Sequence, residues 1–486
     1  MRKRARQNSA DPLEKDEILE DWLSGLPDDI LVNIISRLSL KEAARTSVLS
    51  SRWKHLWTFT TALNFDDSKA VIPLGNLEEK RVKYINWVNK VLELHRGSSI
   101  NEFRVCFDLS DAHKSDITNW VCTVIAKRVQ NLELDFWPGR YGNYYKFLRE
   151  CYDNILCDHG RMSSFRCLRS LRFFTVNVSG ETLEFLIHNC PLLDWLYVDR
   201  SKNLVRLKVV GSSIQLKHLE VLSCLSLQEI EISAPSLLSF KYFGAEIKLR
   251  IENVPRLVDL SVRGGYMDEI TYFVGSKLCC LPQLKTLELD SYSEVYTQFS
   301  ECELPNLYLL KLRVTTPNRE SLHGLTCIMK ACPFLQKLML QVDCLLCSLM
   351  RNMLLCFNQL VVALVPNRAR EKGQDGGAWD IVISLYDSCL EDHGRRLGKK
   401  KHRFPNYSHQ HLKVAELHGF LGRQVDLQVA FYLLQNATML GKLIVEPSRY
   451  IKKKALRHCV KMLEARLPER VELVVGPVLP ARVQII

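Results

Sequence analysis

Nothing at the start of the chain resembles a secretory leader. A basic cluster, Arg2, Lys3, Arg4 and Arg6, passes into Gln7, Asn8, Ser9 and Ala10 with no apolar core between them. No long hydrophobic run survives inspection either. The most apolar stretch, 344 to 365, is interrupted by Arg351, Asn352, Asn358 and Gln359. A single mid-helix Arg costs about 2.5–3.5 kcal/mol to insert into a bilayer, so this stretch is expected in a protein core and no membrane association is expected. The 17 cysteines are odd in number and no leader precedes them, which argues against a disulfide framework and predicts a reducing compartment, nucleus or cytoplasm. Catalytic signatures are missing as well: there is no phosphate-binding glycine loop, no G-x-S-x-G and no H-E-x-x-H. Cys344 and Cys347 supply half of a zinc spacing, but no second close Cys/His pair follows. His409 and His411 are too little for a ligand pair. No catalytic residue, metal or cofactor is therefore expected.

What is present is an ordinary folded composition, 47% hydrophobic and 25% charged over 486 residues. The net charge of +12 is concentrated: residues 2–6, 395–403 and 449–457 carry fifteen of the 66 bases and no acid. The remainder is nearly neutral, which excludes a broad basic nucleic-acid face. Aromatic residues suited to stacking on bases are absent from all three runs, so nucleic acid is disfavoured as a partner. The runs stay open to three readings: solvated loops, nuclear-import patches, or phosphate contacts.

Residues 22 to 57 carry the pattern of three short helices. Pro27 suits the first position of a helix, and Asp28 and Asp29 suit its positive dipole end. Ile30, Leu31, Ile34, Ile35 and Leu38 recur at helical period. Ser39 and Glu42 form a capping box that starts a second helix, and Ser50 or Ser51 can cap a third bearing Trp53, Leu56 and Trp57. So small a unit cannot enclose Trp53, Trp57 and a dozen aliphatics, so part of this surface must lie against something else. One alternative is that the helices only cap the adjoining domain. The residues Leu26-Pro27-Asp28-Asp29-Ile30-Leu31, then Ala43-Ala44, and the run from Thr46 through Ser50-Ser51-Arg52-Trp53 to Leu56-Trp57 resemble an F-box, and their ending is similar to that of plant F-box proteins.

Further along, a helix over about 78 to 95 places Val82, Ile85, Val88, Val91 and Leu92 on one side. A phrase of the form L-x-x-L-x-L then recurs from Leu168/Leu171/Phe173 to Leu335/Leu338/Leu340, at the spacing of irregular leucine-rich repeats. Extra phrases at Leu204/Leu207/Val209 and Leu227/Ile230/Ile232 leave the register open through 200 to 240, and some strands are candidates for the convex side. Cys190-Pro191 and Cys332-Pro333 each follow an apolar helical run, which defines a helix, break, strand unit. Residues 366 to 408 lose the periodicity and gather glycines with a basic run, so a mobile insertion is expected. The segments 412–420, 426–435 and 436–445 look like the FBD region of plant F-box proteins. A final helix after Ser448 and a strand over 471–475 are expected to close the solenoid's open end.

The expected fold class is therefore α/β: a three-helix F-box, an irregular leucine-rich-repeat solenoid or horseshoe, and an FBD-like C-terminal module. The expected boundaries are 1–20 for a charged tail, 21–66, 67–365, 366–408 for the insertion, and 409–486. The F-box resemblance implies an adaptor role in a cullin–RING ubiquitin ligase. Leu26, Pro27, Ile30, Leu31, Ile34, Leu38, Val48, Leu49 and Trp53 match the motif that meets a Skp-type adaptor, although some of them must pack internally. The repeats would hold an unknown target protein. In a horseshoe, the x positions of each phrase face the concave side, bringing Trp195, Tyr197, Lys241, Glu288, Lys311, Lys337 and Met339 there. A slipped register would instead turn these residues into the core. Two rivals remain, a repeat scaffold without ligase and a nuclear factor that contacts nucleic acid through its basic loops.

Overall fold

The strand β1 (Ala62–Asp66) buries Leu63 and Phe65 and turns Asn64 and Asp66 outward. This two-residue alternation, repeated from strand to strand, builds the molecule. In a computed structural model the described residues are 23, 25–67, 77–136, 165–264, 278–292, 299, 303–316, 323–344, 407–448 and 451–477. The tail 1–20, most of the insertion (366–406) and most of the apolar stretch after Cys344 lie outside them.

Among the described residues fourteen strands form one sheet in which every pair is parallel. After β1 come β2 (Glu102–Cys106), β3 (Asn131–Asp135), β4 (Ser170–Phe174), β5 (Trp195–Asp199), β7 (His218–Leu222), β9 (Ser239–Gly244) and β11 (Asp259–Gly264). The sheet continues through β12 (Thr286–Tyr292), β13 (Leu309–Thr316), β14 (Lys337–Cys344), β15 (Val414–Phe420), β16 (Lys442–Pro447) and β17 (Glu472–Val475). One row of side chains, Leu196, Leu219, Phe240, Leu260, Leu287 and Leu310 among them, runs across the strands in register and is almost fully buried. Parallel neighbours need a return path across the other side of that core. Some of those paths are helical, as in the solenoid expected from the repeats: α4 (Leu77–Leu94), α5 (Lys114–Ala126), α6 (Gly180–Asn189) and α7 (His323–Lys330).

Between β5 and β11 the return path is instead a strand. β6 (Arg206–Val210), β8 (Glu229–Ser233) and β10 (Lys248–Ile251) make a second, three-stranded parallel sheet. Its inner residues, Leu207, Val209, Ile230, Ile232 and Leu249, are buried in the shared core. The extra leucine phrases are this outer sheet. A strand rises about 3.3 Å per residue against 1.5 Å for a helix, so a strand-lined return needs fewer residues, which explains the short repeat intervals here.

Several expectations need correction. β1 belongs to the repeat sheet, paired with β2 throughout, so the F-box does not run to residue 66. Strands β1, β2 and β3 precede the first phrase recognised in the sequence, because Phe103-x-Val105 and Leu132-x-Leu134 have the alternation without the leading leucine. Val82 is exposed on α4, and Tyr84 takes the inward place, donating its hydroxyl to the Phe65 carbonyl at 2.5 Å. The C-terminal module, expected to continue the solenoid, needs no correction: β15 pairs directly with β14 in the same sheet. On its back lie α8 (Gln424–Asn436) and α9 (Lys453–Glu464), whose Cys459 and Leu463 point inward.

Candidate functional site

In the N-terminal unit, α1 (Asp28–Ile35) starts after Pro27, which occupies the capping position with extended backbone. The Ser39–Glu42 capping box is formed in full at the head of α2 (Leu40–Arg45). The third helix, α3 (Trp53–Leu56), is only four residues and has no side-chain cap, so neither Ser50 nor Ser51 plays that part. Arg52 instead binds Asp28 at 2.7 Å, tying the end of the unit to its beginning.

The apolar stripe of α1 divides into two ridges. Leu31 and Ile35, one turn apart, pack with Ala43, Trp53 and Leu56 in a small core of their own. Ile30, Ile34 and Leu38, on the neighbouring ridge, remain 41–43% exposed. Beside them Val48 is 87% and Leu49 62% exposed. Of the nine expected adaptor residues, Pro27, Ile30, Ile34, Leu38, Val48 and Leu49 therefore lie at the surface, and Leu26 is half-buried against the small core. Leu31 and Trp53 are interior and cannot touch a partner; they set the shape of what does. The other side of the unit is seated on the repeats through Leu40, which is part of the main core, and Trp57, which touches both cores. Exposed aliphatics at this density mark a contact surface more than a chance distribution.

The second surface is the open face of the large sheet. The cross-strand register puts Arg104, Glu133, Arg172, Tyr197, Glu220 and Lys241 in one row, which continues through Ser261, Glu288, Lys311 and Met339 to Glu416. Trp195 and Lys337 lie two residues N-terminal of that row on the same face. All seven expected target residues thus share one face, opposite the buried row, and the slipped register is not the one adopted.

Ion pairs lace this face across the strands. Arg104 binds Asp66 at 2.7 Å and Glu133 at 2.6 Å, Arg263 binds Glu288 at 3.1 Å, Arg313 binds Asp290 at 3.1 Å, and Lys337 binds Glu416 at 2.7 Å. Lys241 reaches Glu220 at 3.3 Å. An aromatic group sits among them: the Phe174 and Tyr197 rings are 4.5 Å apart, and Trp195 lies between the Arg172 guanidinium at 4.5 Å and the His218 ring at 5.2 Å. Trp195 Nε1 is buried without a hydrogen-bond partner among the described residues. Burial raises the Asp199 carboxyl to about 6, against the pull of Arg200 and a Ser223 hydrogen bond, and Asp135 adds to the rise. Burial, with Asp199 and Glu220 next, pushes the Tyr197 hydroxyl up. Further on, Arg263, Glu288, Asp290, Lys311, Arg313 and Met339 help line a cavity of 120 Å³.

Phe174, His218 and Phe243 were not among the expected residues. They sit at the end of, or just outside, the leucine phrase, and the same alternation carried one step further along each strand would have found them. Among the described residues the histidines and cysteines give no ligand set, and Cys347 lies outside them: His409 is buried against Tyr432 Oη at 2.9 Å, and His411 meets the Phe334 ring at 5.0 Å. Among the described residues no group of three or more His, Cys, Asp or Glu is placed to hold a metal, and no helix is long and apolar enough to cross a membrane.

Comparison with known proteins agrees with this division. The F-box domain profile matches residues 23–59, the leucine-rich-repeat profile "At1g61320/AtMIF1, LRR domain" matches 91–353, and the FBD profile matches 404–445. Among relatives from Arabidopsis thaliana, FBD-associated F-box protein At4g10400 is 31% identical over 319 residues, covering 60% of this chain and 74% of that protein. FBD-associated F-box protein At5g38590 is 24% identical over 465 residues, 93% of this chain and 100% of that protein. F-box/LRR-repeat protein At3g58900 is 32% identical over 241 residues, 46% and 72% respectively. With the three profiles in the order of the three structural parts, the chain belongs to the plant F-box proteins that carry leucine-rich repeats and an FBD region.

Proposed function

We propose that this protein is the target-recognition subunit of a Skp–cullin–F-box ubiquitin ligase. The observation that carries the reading is the outward ridge of Ile30, Ile34, Leu38, Val48 and Leu49 beside an inward ridge that already fills the small core. A Skp-type adaptor covers the bare ridge, and through it the cullin and RING subunits assemble. The open sheet face holds a target protein. The chain itself does no chemistry; it raises the effective concentration of the target near the transfer machinery. A reducing compartment, nucleus or cytoplasm, fits the free thiols of nine cysteines among the described residues.

The test is co-purification of the full chain with a Skp-type adaptor, a cullin and a RING subunit. A stoichiometric assembly is expected, and it should be lost when Ile30, Ile34 and Val48 are changed together to Glu while the circular-dichroism melt is kept. Failure of the unaltered chain to enter the assembly would overturn the proposal.

A further inference from the structure

Much of the charge on the open sheet is met by neighbours, as Arg104 is by Asp66 and Glu133. The back of the C-terminal end is different. Helix α9 exposes Lys453, Lys454, Arg457 and Lys461, and none of these four side chains makes an ion pair or hydrogen bond among the described residues. With 3.6 residues to the turn they fall within about 100° of one another around the helix axis, opposite the buried Cys459 and Leu463, and they run over about 12 Å of its length. Glu464, in the last turn, is the one acid of the helix. The strip is firmly seated: Leu463 is fully buried, Leu456 packs on the main core, and Cys459 Sγ lies 3.8 Å from the Gly422 carbonyl oxygen. Its bases do not serve the fold. Lys453 and Lys454 stand in a first turn that holds no acid, at the positive end of the helix dipole, where a cation is unfavourable.

We propose that the exposed face of α9 is a docking strip for an acidic segment of a partner protein, a short run of Asp and Glu. Charge complementarity selects the occupant. Lys453, Arg457 and Lys461 follow one another at about 6 Å along the helix, and alternate side chains of an extended segment at about 6.8 Å, so successive carboxylates on one side meet these bases in turn. Three of the four bases are Lys, point charges without the bidentate fork that Arg offers a phosphate. The helix has no Phe, Tyr or Trp on which a base could stack, and Glu464 closes the strip, so a long nucleic-acid strand fits it less well. Its apolar side is occupied by the core and has nothing to insert into a bilayer. The helix joins β16 to β17, at the opposite end of the large sheet from β1, and it lies behind the open face. Such a partner can therefore be held together with an adaptor and a target, and the inference does not depend on the ligase reading.

The experiment uses the full chain and a capped peptide of eight glutamates carrying a neutral dye, read by fluorescence anisotropy. Saturable binding is expected at about 50 mM salt, weakened at least fivefold at about 300 mM, where screening shortens to about 6 Å. Lys453→Gln, Lys454→Gln, Arg457→Gln and Lys461→Gln together should weaken it at least tenfold. The melting temperature should stay the same or rise, because unfavourable charge leaves the first turn. A second variant, Arg206→Gln, Lys208→Gln, Lys248→Gln and Arg250→Gln, removes the same charge from the exposed side of the outer sheet and should bind within about twofold of the parent. No loss in the first variant, or an equal loss in both, would overturn the inference, since the attraction would then be to net charge alone. A lowered melting temperature in the first variant would give the bases a role in the fold and overturn it too. A single-stranded DNA of nine nucleotides, equal in charge to the peptide, and vesicles containing phosphatidylserine are measured beside it. Tighter binding of either would overturn the inference in favour of nucleic acid or a membrane surface.

Discussion

The division of α1 into two ridges makes opposite demands on neighbouring residues. Val48 and Leu49 are 87% and 62% exposed, so truncating both to Ala removes little from the folded chain, and stability should stay within about 0.5 kcal/mol. If an adaptor covers them, the same truncation removes most of the burial they gain on binding. Full burial of a Val or Leu side chain is worth about 1.5–3 kcal/mol, and the fractions now exposed scale this to about 2–3 kcal/mol for the pair after allowing for the methyl that Ala retains. That is roughly 30- to 150-fold in Kd. Leu31, one ridge away and 0% exposed, should behave in reverse. Leu31→Ala should cost about 2–5 kcal/mol of stability, and the fraction that remains folded should bind the adaptor with nearly unchanged affinity. Titration calorimetry against a purified Skp-type adaptor, beside urea unfolding of each variant, separates the two. The reasoning is refuted if the double variant binds within about threefold of the parent, since burial of those side chains would then be absent from the interface.

Asp199→Asn should stabilise the protein in a pH-dependent way. The folded carboxyl is raised to about 6 from an ordinary 3.8, so its favourable contribution is fully present below the unfolded value and is lost as pH rises through the folded one. The variant's advantage should be absent near pH 3.5 and grow to roughly 2–3 kcal/mol by pH 7, read from urea midpoints; an equal shift at both pH values would contradict it. Gly264 has φ +127° and lies in register with Gly244, whose carbonyl oxygen would stand 1.9 Å from an added Cβ. Gly264→Ala should therefore lower stability by roughly 2 kcal/mol or more, and an unchanged melting temperature would show that β9 and β11 can separate there without cost.

Much of this architecture was legible because it rests on two periods. The period of two along each strand placed Trp195, Tyr197, Lys241 and Glu288 on one face before any coordinates, and the capping box at Ser39 fixed the start of α2. What was illegible has physical causes. Leu31 and Ile34 are chemically alike and a turn of helix apart, and only the packing of Trp53 and Leu56 decides which ridge is interior. Strands β1 to β3 were missed because a strand of this sheet needs only an inward Leu, Phe or Val at alternate positions, and the leading leucine of the repeat phrase belongs to the turn before it. The outer sheet was half-visible. Its phrases have the strand alternation, yet nothing local distinguishes a strand of the open face from one of the back, since both bury the same residue types.

The two surfaces differ in how their exposure arises, and this bears on what each can hold. The F-box ridge is apolar because a short helix pair has no interior left to offer, so its partner must bring matching apolar surface and would be recognised by shape. The sheet face has an apolar step around Phe174, Tyr197, Leu222 and Phe243, and much of the rest is laced by its own cross-strand pairs, Arg104 with Glu133 and Arg263 with Glu288 among them. A ligand arriving there must replace pairs already made, which returns little net energy and penalises every mismatch in sign. Affinity at such a face comes chiefly from its aromatic step. If the sheet holds targets as proposed, it would discriminate sharply among them while holding each only moderately, as a subunit that releases what it delivers requires.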